Sequence, residues 1–121
     1  MPSLHRPHNP ADALPPAEVR FSELRVEPWP DGRRVRVHLT LTPFQQNPNL
    51  EAVLTDAAGQ SIASTTVIET ADTRMVFTMH IRTPQTAGQY QLSASISYPD
   101  LGVVDEQSTT FIIDQAAGGE V

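Results

Sequence analysis

The chain has 121 residues, a one-domain length at which roughly two-thirds of the unfolded surface is buried without help from a metal or a disulfide. It has no cysteine, which excludes disulfides, zinc–thiolate sites, iron–sulfur clusters and thiol catalysis together. A formal net charge of −6, with no basic run longer than Arg33-Arg34, disfavours nucleic acid, and no apolar stretch approaches the roughly 20 residues of a membrane-spanning helix.

Residues 1–17 read as a flexible, Pro-rich arm, because its prolines interrupt both helix and ladder. Met1 to His8 has no apolar segment of the kind a secretion signal needs, so a chain that natively starts at Met1 is expected in the cytoplasm. Val19 to Val26 predicts a first strand. Val19 and Phe21 share one alternation phase and Leu24 and Val26 the other, which predicts a bulge or kink between them. Pro28-Trp29-Pro30-Asp31-Gly32 reads as a turn. Arg33 to Thr42 alternates cleanly: Val35, Val37, Leu39 and Leu41 face in, while Arg34, Arg36, His38, Thr40 and Thr42 face out.

A loop at 43–49 follows, then a third strand over Leu50 to Thr55 and a Gly-containing hairpin turn at 56–60. Ser61 to Ile68 is a further strand, as one or two pieces. Arg74 to Arg82 alternates again, with Met75, Phe77, Met79 and Ile81 on one face and Val76, Thr78, His80 and Arg82 on the other. Gln89 to Tyr98 places Tyr90, Leu92, Ala94, Ile96 and Tyr98 on one face. Pro99 to Gly102 turns the chain, and the last strand runs from Val103 to Asp114. Residues 115–121 read as a disordered tail. Seven or eight short strands, with turn signals every 8–12 residues or so, predict an all-β, antiparallel sandwich occupying residues 18–114.

The stretch Ala87-Gly88-Gln89-Tyr90-Gln91-Leu92 carries a resemblance. It is similar to the Gly-x-Tyr-x-apolar start of the sixth strand in the bacterial immunoglobulin-like and fibronectin type III-like β-sandwich superfamily. Thr110-Phe111-Ile112-Ile113 also resembles the closing strand of such domains. The resemblance implies an immunoglobulin-like Greek-key arrangement, with Tyr90 as a structural tyrosine corner and Leu92 where antibody domains carry cysteine. No Trp falls on the third strand. Trp29 lies in the first turn instead, where it is expected to plug one end of the core or, exposed, to anchor a partner.

In that arrangement the 43–49 loop and the 99–102 turn share one end of the sandwich. They offer Phe44, Gln45, Gln46, Asn47, Asn49, Asp100 and Leu101 as a binding surface, unless Phe44 folds back to cap the core. Among metal-binding types, His5 and His8 lie near Asp12 in the arm, and His38 and His80 face outward on the second and fifth strands, where neighbouring strands would bring them together. Met75, Met79 and His80 do not share a face, which argues against a copper site. No Gly-x-Ser-x-Gly elbow and no phosphate-cradling Gly-rich loop is present, and no cofactor is implied. The leading reading is a non-catalytic binding or assembly module that makes protein–protein contacts, including self-association, through a loop end or an edge strand. The second reading is a small-ligand or metal-binding domain that uses the surface histidines.

Overall fold

The computed structural model describes residues 12–30, 33–81 and 88–113. Seven strands form two antiparallel sheets: β1 (Phe21–Pro28), β2 (Arg34–Leu41), β3 (Asn49–Thr55), β4 (Ser61–Val67), β5 (Arg74–His80), β6 (Gly88–Tyr98) and β7 (Gly102–Ile113). One sheet runs β1-β2-β5 and the other β4-β3-β6-β7. The molecule is an immunoglobulin-like β-sandwich at the level of architecture. Its fourth strand joins the sheet of the third, whereas in constant-type antibody domains it lies with the first two.

The alternation read from the sequence is what fills the space between the sheets. Val35, Val37, Leu39 and Leu41 of β2 are buried, as are Leu50, Ala52 and Leu54 of β3 and Tyr90, Leu92, Ala94, Ile96 and Tyr98 of β6. Successive side chains point to opposite faces, so each of these rows commits its strand to one register. At the head of β6, Gly88 has φ 131°, a left-handed value that a side-chain-bearing residue rarely adopts, so the glycine lets the chain enter the strand.

The phase switch in β1 is a bulge. Phe21 pairs with Leu41 and Glu23 with Thr40, and the register shifts between them. The bulge lets Phe21 and the preceding Val19 point into the core, while Leu24 and Val26 line its margin. The Phe21 N–H, released from the ladder, donates to the Asp105 carboxylate at 2.9 Å and ties β1 to β7 across the sandwich edge.

Residues 12–17, expected to belong to a flexible arm, are held in place. Leu14 forms an isolated parallel bridge with Phe44: its N–H donates to the Pro43 carbonyl at 3.0 Å and its carbonyl accepts from Gln45 N–H at 2.9 Å. Pro16–Glu18 is one 3-10 turn, with Pro at its start where a missing N–H costs nothing. The rest of the arm and the tail lie outside the described residues.

Trp29 does not plug the core. It is half-buried on the outer side of the β1–β2 hairpin, with the Arg34 guanidinium 4.0 Å and the Arg36 guanidinium 5.5 Å from its ring. The flanking prolines carry the chain off the end of the strand, and the ring finds cations on its neighbour instead of the sheet interior.

Leu39 is 1% exposed at the centre of β2, which is itself the central strand of its sheet. Leu39→Ala is expected to cost about 2–5 kcal/mol, as a truncation that leaves a cavity. Urea unfolding checks this; a loss below about 0.5 kcal/mol would place Leu39 outside the core.

Candidate functional site

Three connections meet at one end of the sandwich: the β2–β3 loop, the β4–β5 turn and the β6–β7 turn. Their polar groups are largely spent on one another. Tyr98 donates its hydroxyl to the Gln46 carbonyl at 2.8 Å. The Asn49 side-chain oxygen accepts the Glu69 N–H at 2.8 Å, and Thr70 N–H donates to the Pro48 carbonyl at 2.9 Å. Glu69 sits at φ 51°, a strained left-handed value for a residue with a side chain, and the Asn49 bond fixes its amide there.

This geometry sorts the seven loop residues picked from the sequence. Phe44 is fully buried, so its ring caps the core and is not presented to a partner. Gln45 uses its side-chain amide to hold the Ala13 carbonyl at 3.1 Å, and Asn49 is occupied by the β4–β5 turn. Gln46, Asn47, Asp100 and Leu101 keep exposed side chains. Burial raises the Tyr98 hydroxyl above the ordinary tyrosine range.

The histidine pair expected on the outer face of the β1-β2-β5 sheet is not assembled. β2 and β5 are neighbours, but His38 lies opposite Val76 and His80 opposite Arg34. His38 turns to β1, where its Nε2 lies 2.8 Å from Glu27 Oε1. Arg25 reaches Glu27 at 2.9 Å and Glu23 at 3.4 Å on the same face. His5 and His8 lie outside the described residues, and among the described residues no three His, Asp or Glu side chains group in a way that would hold a metal ion.

The feature that the sequence pattern did not reveal is an open side. The sandwich is closed where β1 meets β7. On the other side, β4 and β5 are the free edges of their sheets, and their inward rows are only partly covered: Ile62, Ala63 and Val67 on β4, Met75 and Phe77 on β5. A groove of about 240 Å³ lies between them, lined by 62–65 and 78–80. Ile81 N–H donates to the Arg33 carbonyl at 2.8 Å and Leu41 N–H to the Thr73 carbonyl at 2.7 Å. Amides alternate along a strand, so Met75, Phe77 and Met79 turn theirs towards β2, and Arg74, Val76, Thr78 and His80 turn theirs to the open edge.

No protein-family model and no curated protein matches the chain. Solved structures do. The chain is similar to a glycosyl hydrolase family 2 member from Bacteroides cellulosilyticus, with a TM-score of 0.58 and 16% identity over 78% of this chain and 15% of that one. It is also similar to a β-glucuronidase from Bifidobacterium dentium complexed with coumarin-3-O-glucuronide (TM-score 0.62, 16% identity, 81% and 18% covered). A β-glucuronidase from Ruminococcus gnavus in complex with D-glucuronic acid matches as well (TM-score 0.55, 19% identity, 79% and 16% covered). The likeness is one of fold. The chain spans less than a fifth of each of these enzymes, and the matching part of each is a β-sandwich domain.

The Glu27 carboxyl is held below the usual glutamate range, first by its hydrogen bond with His38 and then by Arg25. A depressed carboxylate contributes stability that is present above its unfolded pKa and is lost as pH falls through the folded value. Carbon-detected titration of Glu27 is therefore expected to give a midpoint below that of a peptide glutamate, and His38→Gln to move it upward. A midpoint that stays put in the variant would contradict the pairing.

Proposed function

We propose that this domain is a non-catalytic binding or assembly module that makes its protein contacts along a sheet edge. The observation that carries the reading is the open β4/β5 side, where two unpaired strand edges flank a groove with apolar residues on its walls. An exposed edge presents unused N–H and C=O groups in a regular row, and recognition by strand addition uses such a row for affinity and alternating pockets for selectivity. The loop end supports the same choice, because Phe44, Gln45 and Asn49 are consumed in holding the fold. The similar solved enzymes add a consistent precedent: there the matching sandwich is under a fifth of a much longer chain.

The test is a titration of the isotope-labelled chain with pools of random octapeptides, followed by amide shifts, together with light scattering for self-association. Saturable shifts along β4 and β5, or a dimer whose formation shifts those amides, are expected. A chain that stays monomeric and shows no saturable shift with any pool would overturn the reading.

A further inference from the structure

The outer face of the β1-β2-β5 sheet has a charge opposite to that of the chain as a whole. The formal net charge is −6, yet this face presents Arg25, Arg34, Arg36 and Arg74 against only Glu23 and Glu27. Both glutamates lie on β1 and are paired there with Arg25 and His38. Toward β5, none of the paired positions described carries a carboxylate: across the β2–β5 register, Arg34 lies opposite His80, Arg36 opposite Thr78 and Thr40 opposite Arg74. The cationic part of the face therefore borders the same edge that is open.

β5 also lacks several of the devices that normally bar an edge from pairing. Its register with β2 has no bulge, it contains no proline, and its inward positions are Met75, Phe77 and Met79 and not charged side chains. Val76, 53% exposed, stands in the outward row between Arg74 and Thr78. β1, by contrast, is bulged at one end and closed by Pro28 at the other. β4 shares the groove, but its seven residues carry no charge, so it offers no means of telling an acidic segment from a basic one.

We propose that the β5 edge is a docking site for an extended acidic segment of a partner protein, whose residues alternate between apolar and carboxylate. This rests on the binding-module reading and names its strand and its partner. The segment pairs with the outward-turned amides of Val76, Thr78 and His80. Its apolar side chains enter the groove beside Ile62 and Ala63, and its carboxylates lie over Arg74 and Arg36. Charge complementarity of this kind sets selectivity and on-rate more than raw affinity, and salt screens it.

The test uses the whole chain and three synthetic octapeptides: alternating Glu and Val, alternating Lys and Val, and alternating Glu and Ser. The Glu–Val peptide is expected to bind with amide shifts along β5 and the groove, and to weaken as salt is raised. The Lys–Val and Glu–Ser peptides are each expected to bind about tenfold more weakly or worse. Val76→Pro, which removes an edge N–H outside the β2 ladder, is expected to abolish the shifts. If that variant does not fold, Arg36→Glu with Arg74→Glu, both on the surface, supplies the same decision by reversing the preference towards Lys–Val. Equal binding of the acidic and basic peptides, an unchanged preference in the charge-reversed variant, or shifts confined to Gln46, Asn47 and Asp100 would overturn the docking site. The first two outcomes leave the sheet-edge reading standing; that reading falls if the shifts are confined to the loop end, or if no peptide pool binds and the chain stays monomeric.

Discussion

The structure depends on β6. Among the described residues its inward row is the longest that is buried from end to end, Tyr90 through Tyr98, and it is paired on both sides, to β3 and to β7. A half-register slip would turn five core side chains to water and five polar ones, Gln89 to Ser97, into the core, so the row fixes both neighbours at once. Each end of the row closes the core with a tyrosine. Tyr90 stacks on Phe111 with ring centroids 5.8 Å apart, and Tyr98 lies beneath the β2–β3 loop with its hydroxyl on the Gln46 carbonyl. A buried hydroxyl that is bonded costs little, while one left unpaired costs its full desolvation, so the Tyr98 bond decides whether that end is sealed.

Once β6 is set, the two sides of the sandwich differ for local reasons. On the β1/β7 side the β1 bulge frees the Phe21 amide to bond Asp105, and Val19 and Phe21 then complete the core. On the β4/β5 side no such tie is made among the described residues. β4 contributes Ala63 opposite Leu54, Thr65 opposite Ala52 and Val67 opposite Leu50, and so the wall there is thinner and Met75 and Phe77 remain partly in view. The open side is thus a consequence of side-chain volume on β4 as much as of strand order. It borders the outward row of β2, which carries Arg34 and Arg36.

The strands were legible in the sequence because their hydrophobic period is regular, as in β2 and β6, and because even the irregular β1 declared its bulge through a change of phase. The sharing of one end by the 43–49 and 99–102 connections followed from the same strand order. What could not be read was how side chains are spent. Phe44, Gln45 and Asn49 look like recognition residues in a loop, but whether an amide faces water or a backbone group depends on contacts such as Gln45 with Ala13 and Asn49 with Glu69, which are distant in sequence. Trp29 was equally opaque, since its ring is placed by two arginines that the alternation itself turned outward. His38 and His80 were correctly assigned to neighbouring strands and one face, but their offset along the register keeps them apart. The open edge left no mark on the period, because it arises from what β4 and β5 lack as partners.

The surface has a loop end fixed by internal bonds and an open β4/β5 edge, and the Tyr98 hydroxyl is where that division is most exposed to measurement. Tyr98→Phe keeps the ring and removes only the donor to Gln46. Equilibrium unfolding combined with amide exchange over residues 45–49 is predicted to show a loss of about 1–2 kcal/mol and faster exchange in that loop. Unchanged stability with unchanged exchange would mean that the loop end is not held as described, and would return its side chains to the list of free recognition groups.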